Sequence, residues 1–536
     1  MSSESSLVDA LIMKLLAEEG TAFLNWVRLC DIDDYNCLNV QKQRVDIAKP
    51  LYYASLAGLT EASYALLEMG ADINAQGGYY GNALQAASDR GHESIARLLI
   101  EKGADVNAQG GYYKNALKAA LNAGHWVIAE LLIEKGADVH EQGYYGNPLY
   151  ATINAGYEAI AERLIEKSTD INAQGGRYGN ALQAASSRGY ETVAKLLIKK
   201  GADVNEQGGR YGNALQAASN NGHEAIVKLL IEKGADVNAQ GGCFGNALQA
   251  ASSRGYKAIA RLLIDRGADV NAQGRYHGNA LQAASDGGYE AIAKLLIEKG
   301  ADVNAQQGYY GNVLQVVSYE GHKAIAKLLI EKGANVNAQG GEYGNALQAA
   351  SDAGHEAITK LLIEKGADVN AQGGYYGNAL QAASNGAHEA IAKLLVGYGA
   401  DVNAQGGEYG NALQAASDAG HEGIIELLIE KGADVNVQGG YYGNALQAAS
   451  NGAHEAIAKL LVGYGADVNA QGGEYGNALQ AASDAGHEGI IELLIEKGAD
   501  VNAQGGYYGN ALQAASNGAH EAITKLLIGY GADVNA

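Results

Sequence analysis

Apolar and polar positions recur along this chain in one 33-residue pattern, cleanest over residues 345–377, NALQAASDAGHEAITKLLIEKGADVNAQGGYYG. Asn345 reads as a helix N-cap, and Gln348 three residues on can close a capping box with it. Leu347, Ala349 and Ala350 give a first helix a short apolar face of small side chains, and Gly354 breaks that helix. A second helix is predicted from about His355 to Lys365, with Ile358, Leu361 and Leu362 at i, i+3, i+4 as its buried stripe. Glu356, Lys360, Glu364 and Lys365 make its opposite face polar, and Gly366 supplies the left-handed residue that ends it. An extended loop completes the unit. One unit alone cannot bury both helices, whereas a stack can.

The opening Asn returns at 82, 115, 147, 180, 213, 246, 279, 312, 345, 378, 411, 444, 477 and 510, and a weaker copy starts near Lys49. Every step is 33 residues except the 32 from Asn115 to Asn147. Self-similarity at this period outranks any local signal. The predicted fold is an all-α repeat solenoid over residues 49–536, with about fifteen helix-turn-helix-hairpin units in a curved stack. At ~10 Å per unit, an ordinary helix-packing distance, the stack would run ~150 Å.

These residues resemble the ankyrin repeat family, whose T-P-L-H-x-A signature appears here as N-A-L-Q-A-A, followed by G-H and later by L-L-I-E-K-G-A-D-V-N. Asn replaces the capping Thr, Gln replaces the His, and only Pro148 restores the Pro. The resemblance implies a non-catalytic protein-interaction scaffold whose hairpin tips and first helices line a concave partner-binding face. The tip A-Q-G-G-Y-Y-G-N also resembles the arrays of fungal proteins that join ankyrin repeats to a NACHT-type nucleotide-binding domain. That implies an alternative, the recognition arm of a signalling receptor. No G-x-x-x-x-G-K-[ST] loop occurs in the chain, so the nucleotide-binding domain would be encoded elsewhere.

Residues 1–48 lie outside the pattern. Ser6 and Asp9 read as an N-cap pair before an amphipathic helix of Leu7, Val8, Leu11, Ile12, Leu15 and Leu16, and Phe23, Trp26 and Val27 suggest a second helix. We read this segment as a helical cap over the first repeat, or a linker remnant. An irregular zone spans residues 112–170: Lys114 and Lys118 replace Gly and Gln, a tip residue is lost near Gly143, and Ser168-Thr169 replace Gly-Ala. A bend or weak joint is expected there. Residues 375–440 and 441–506 differ only at Val437 against Ala503, which marks a duplicated two-repeat block. The final copy keeps Ala519, Ile523, Leu526 and Leu527 as in interior repeats, so its outer face is expected to fray or to support weak end-to-end self-association.

A formal net charge of −22 argues against a nucleic-acid backbone or an anionic membrane as the main partner, leaving protein partners. Three cysteines, no signal-like apolar segment and no membrane-length apolar run point to a cytoplasmic, reducing setting. Ser351, Asp352 and His355 imitate a catalytic triad, but Ser-Asp-x-Gly-His recurs at Ser88, Ser417 and Ser483, and unique chemistry does not come in copies. Ten histidines share one slot and are read as loop residues rather than metal ligands. No cofactor is called for.

Variation among the copies is the remaining signal. The residue two before the opening Asn is Tyr in twelve copies, with Phe244 and His277 as exceptions, which predicts a packed tyrosine ladder. The residue three before it varies: Tyr79, Tyr112, Tyr144, Arg177, Arg210, Cys243, Tyr276, Tyr309, Glu342, Tyr375, Glu408, Tyr441, Glu474, Tyr507. With Arg275 taken in place of Tyr276, the Tyr, Arg and Glu members form the candidate partner-binding set, since Tyr and Arg dominate interface hot spots. Drift on a solvated loop is the alternative. Charge also sorts along the chain, with Arg177, Arg188, Arg210, Arg254 and Arg275 before Glu320, Glu342, Asp352, Glu408, Asp418, Glu474 and Asp484. Complementary charge on a partner would then set orientation and on-rate.

Overall fold

The computed structural model describes residues 48–535 except 140–147, 168–169, 275–277 and 307–310, together with Lys14, Leu15, Phe23, Asn25 and Val27. Among the described residues, thirty helices form fifteen pairs, from Pro50–Leu56 with Thr60–Glu68 to Ala511–Asn517 with Glu521–Gly529. Extended pairing is confined to isolated bridges such as Gly373 with Gly377. The chain is an all-α array of stacked repeats. It divides into two compact units, residues 1–247 and 248–536, built from the same repeat.

In the 345–377 repeat, Asn345 holds an extended backbone (φ −148°, ψ 174°) and its side chain accepts from the Gln348 amide, while Gln348 Oε1 accepts from Asn345 N at 3.1 Å. This capping box opens the helix Ala346–Asp352, in which every residue from Ala346 to Ser351 is buried. Ala and Ser there let neighbouring first helices approach closely. The second helix runs Glu356–Glu364 and ends in a Schellman motif: Ala367 N donates to Leu362 O (2.9 Å) and Gly366 N to Ile363 O (3.0 Å).

The predicted stripe of that helix needs one correction. Ile358 and Leu362 are buried, but the third buried residue is Thr359, and Leu361 is only half-buried at the edge of the packed face. Thr359 tolerates burial because its hydroxyl donates to His355 O at 3.1 Å. The equivalent residues Ala392 and Ala458 are buried as well.

Two side-chain ladders tie each repeat to the next. Asn370 Nδ2 donates to Gly399 O (3.0 Å) and its Oδ1 accepts from Asp401 N (2.8 Å), so one amide satisfies both a donor and an acceptor left free at the next helix end. The same pair of bonds recurs from Asn107 to Gly136 and Asp138, and from Asn502 to Gly531 and Asp533. The conserved-slot histidines form the second ladder. His355 Nε2 lies 2.8 Å from Tyr319 O, and His388 Nε2 lies 2.8 Å from Asp352 O, each in the preceding repeat.

Near the N-terminus, Phe23 and Val27 are helical and buried, with the Phe23 ring edge-on to Tyr53 at 5.8 Å. Trp26, the shortened tip near Gly143 and Ser168-Thr169 lie outside the described residues. In the irregular zone the ladder residues themselves change. Lys118 stands at the Gln position, His140 at the Asn position, and Ser168-Thr169 at the helix-ending Gly-Ala. Lys114 holds φ 72° where other copies have Gly. A Cβ at Gly81 would sit 2.0 Å from Gln85 Oε1 and 2.7 Å from the Gly110 carbonyl carbon, so Lys118 in place of Gln removes one of the obstacles that Gly avoids elsewhere.

Ala519 departs from its expected burial. It is exposed, as are Ala387 and Ala453, and the three hold φ 58°, 62° and 65°. In these copies the order reads Gly-Ala-His, where Gly354 of the clean repeat reads Ala-Gly-His with φ 79°. Left-handed backbone at a Cβ-bearing residue costs roughly 1–2 kcal/mol, partly offset because Gly loses more chain entropy on folding. Ala387→Gly and Ala453→Gly should each stabilise by about 0.5–1 kcal/mol in urea unfolding. Unchanged or lower stability would refute the strain. Hydrogen exchange should find Pro148–Ala155 and Glu158–Glu166 opening at lower free energy than Ala346–Asp352 and Glu356–Glu364. Equal protection would remove the weak joint.

Candidate partner interface

The hairpin tips are placed by the Gln of each first helix. Gln348 Nε2 reaches three carbonyls of the hairpin that follows: Ala371 (3.2 Å), Gly373 (3.1 Å) and Gly377 (2.9 Å). Gln216 makes the same set to Ala239, Gly241 and Gly245, and Gln480 to Ala503, Gly505 and Gly509. Where Tyr52 and Tyr150 replace Gln, the phenol oxygen instead accepts from the backbone N–H of Tyr80 (3.2 Å) and Tyr178 (3.1 Å). Sequence reasoning passed over this substitution. Its only signal was an aromatic residue at the capping-box position.

Held this way, consecutive tips bond to one another through the variable residues. Tyr375 N donates to Glu342 O (3.0 Å), Glu408 N to Tyr375 O (3.1 Å), Tyr441 N to Glu408 O (2.8 Å), Glu474 N to Tyr441 O (3.0 Å) and Tyr507 N to Glu474 O (2.8 Å). In the first unit Tyr112 N donates to Tyr79 O, Arg210 N to Arg177 O and Cys243 N to Arg210 O. This approach requires Gly: a Cβ at Gly374 would lie 2.5 Å from the Tyr343 carbonyl carbon. The Gly pairs thus serve close backbone contact. The tyrosines at the next position stack as predicted, with centroids 5.8 Å apart for Tyr178–Tyr211, 6.3 Å for Tyr376–Tyr409 and 6.5 Å for Tyr409–Tyr442. The ~10 Å spacing expected from helix packing therefore does not hold at the tips, where the rungs are closer.

Each unit presents its own row. In the first, Tyr79, Tyr112, Arg177 and Arg210 are exposed and Cys243 is half-buried, while the Arg188 guanidinium lies over the Tyr178 ring at 5.8 Å. In the second, Glu342, Tyr375, Glu408, Tyr441, Glu474 and Tyr507 are exposed. Tyr144, Arg275 and Tyr309, named in the candidate set, lie outside the described residues, as do Tyr276 and His277.

The second row has a two-repeat grain. The Glu408 carboxylate beside Tyr375 pushes its phenol up, and the Glu474 carboxylate does the same to Tyr441. Beneath them, the phenols of Tyr376 and Tyr442 face the carboxyls of Asp352 and Asp418. Burial pushes both carboxyls up, against the pull of the phenols. The intervening copies carry Asn385 and Asn451 at the same place.

The triad-like sets do not assemble as chemistry. Ser351 and Ser417 are fully buried, and the Nε2 atoms of His355 and His421 are engaged by carbonyls of the preceding repeats. Among the described residues, no group of three or more His, Cys, Asp or Glu side chains is placed to hold a metal ion. No described helix is long and apolar enough to cross a membrane.

The family description "Ankyrin repeats (3 copies)" matches the chain at 9–110, 51–143, 84–175, 116–208, 149–241, 215–307, 280–373, 375–439 and 445–536. The azaphilone pigments biosynthesis cluster protein L of Monascus ruber is 40% identical over 102 residues, 17% of this chain and 22% of that protein. The chain thus spans about a fifth of the length of this curated relative. A solved structure of the human ASB11 ankyrin repeat domain aligns at 25% identity and TM-score 0.37, covering 41% of this chain and 98% of that one.

The raised carboxyls give a pH signature. A carboxyl whose folded pKa exceeds its unfolded value contributes stability at low pH that is lost as pH rises through the folded pKa. At neutral pH the half-buried Asp352 and Asp418 carboxylates therefore cost stability. Replacing both by Asn should raise Tm at pH 7, with the gap to the parent closing as pH falls through the carboxyl range near about pH 4. A lower Tm at pH 7 would show that the phenol bonds outweigh burial.

Proposed function

The chain belongs to the ankyrin repeat family, and on that premise we propose that it is a non-catalytic scaffold that binds a partner protein along its hairpin tips and the adjoining first helices. The observation that carries this reading is the tip row. It alone combines a backbone fixed by Gln and by neighbouring tips with exposed side chains that differ between copies. Side chains on a rigid backbone lose less entropy on binding, and exposed Tyr and Arg supply most hot-spot energy. Elsewhere the repeat leaves little to recognise. Interior first helices such as Ala346–Asp352 and Ala412–Ala419 bury their side chains from Ala to Ser, and second helices present a similar Glu/Lys face in copy after copy.

A second reading, the recognition arm of a NACHT-type signalling receptor, rests on the A-Q-G-G-Y-Y-G-N tip. It would use the same row.

Crosslinking mass spectrometry on complexes captured by the full chain should place partner crosslinks around the tips. Crosslinks confined to the second-helix faces would overturn the proposal. In the first unit, Arg177→Glu with Arg210→Glu should slow partner association several-fold at low salt and flatten its salt dependence. An unchanged rate would remove those arginines from the interface.

A further inference from the structure

The second unit's tip row specifies more than a generic protein partner. Tyr375, Glu408, Tyr441, Glu474 and Tyr507 alternate aromatic and acidic side chains along one hydrogen-bonded backbone ladder. The three tyrosines are 44%, 40% and 78% exposed. No Lys or Arg occurs between Gly333 and Thr359, and none occurs in the later tips or first helices. The row is therefore purely anionic and aromatic. Its periodicity is set by rings stacked 6.3 and 6.5 Å apart on the adjacent position.

An extended peptide has a matching period. Side chains on one face recur every second residue, about 6.6 Å at ~3.3 Å per residue. One same-face residue then meets one tip, and the step from Glu408 to Glu474, two tips, corresponds to about four residues. Each of these carboxylates stands between two tyrosines in the row. A cation placed over Glu408 therefore gains an ion pair and a flanking aromatic face together, and the two contributions reinforce each other once the site is covered. An α-helical ligand repeats its face every 5.4 Å and drifts out of step over the row.

We propose that this row binds an extended basic segment of a partner protein, with Lys or Arg at about every fourth residue, the cations seated at Glu408 and Glu474. The inference rests on the scaffold reading above and narrows it to one ligand chemistry and one register. The closeness of Glu408 to Tyr375 bears on how it is tested. Glu408→Gln keeps the size of the side chain and a carbonyl beside the phenol and removes only the charge, so loss of binding in that variant reports charge recognition and not a collapsed tip.

The test uses the full chain and synthetic peptides in fluorescence anisotropy. One peptide carries Arg at every fourth position with Ser and Gly between, one carries the same composition with the Arg residues contiguous, and one replaces each Arg by Glu. The spaced peptide should bind about tenfold more tightly than the contiguous one, and the acidic peptide should not bind. Glu408→Gln with Glu474→Gln, and separately Tyr375→Ala with Tyr441→Ala, should each weaken the spaced peptide by about tenfold, the Gln pair also flattening salt dependence. Equal binding of spaced and contiguous peptides would overturn the register, and indifference to the Gln pair would overturn the acidic contacts. No peptide binding while a captured partner still crosslinks to the tips would sink this inference and leave the scaffold standing. Crosslinks that avoid the tips would sink both.

Discussion

The glutamine of the first helix is the contact on which the tips depend. A buried primary amide costs stability unless its donors and acceptor are used. At Gln348 all are, since Oε1 closes the capping box and Nε2 reaches three carbonyls of the following hairpin. The copies show which half matters more. Gln381, Gln414, Gln447 and Gln480 leave Oε1 without a partner, yet each still donates Nε2 to the next hairpin. The bond from first helix to hairpin is kept where the reciprocal Oε1 half of the capping box is not, while the Asn caps still accept from the Gln backbone amides. Tyr52 and Tyr150 lead to the same conclusion, because each replaces Gln and still reaches the following tip.

The glutamine thus fastens each hairpin to the first helix of its own unit. The Asn and His ladders make one repeat's order conditional on its neighbour, joining atoms 29 to 36 residues apart in sequence. None of these bonds can form inside one unit. Stability is then close to a sum of repeat terms and nearest-neighbour terms, and a defect weakens its surroundings more than distant repeats. The 112–170 zone concentrates such defects in sequence, with Lys118, His140 and Ser168-Thr169 each replacing a residue that elsewhere joins or ends a repeat.

The parts of the fold set by local chemistry could be read directly from the sequence. The period, the Asn caps, the capping box and the Gly366 stop all lie within a few residues of what they govern, and the structure has them. The tyrosine ladder was legible too, because its constancy across copies has few other causes. What escaped notice depended on residues one repeat away. The close tip spacing follows from backbone bonds between hairpins. Ala387 and Ala453 look like ordinary loop alanines until their φ values are known. Thr359 displaced Leu361 from the stripe because the face that meets the neighbouring helices decides burial, and the apolar count does not.

The same bonds explain where this array is free to vary. The tyrosine two before each Asn is fixed by rings above and below it, so a change there disturbs two neighbours. The residue just before it joins the ladder through its backbone, and most of its side chains are exposed. Any residue that tolerates extended pairing can therefore occupy it without loosening the stack. Duplicating one repeat would copy a single side chain along the row. Duplicating two, as residues 375–440 and 441–506 record, copies a Tyr–Glu pair together with the Asp or Asn beneath each tip. A ligand that fits one such block fits the next in register, so affinity can grow with block number through effective concentration alone. Recognition is thereby extended by repetition, with no new contact having to arise.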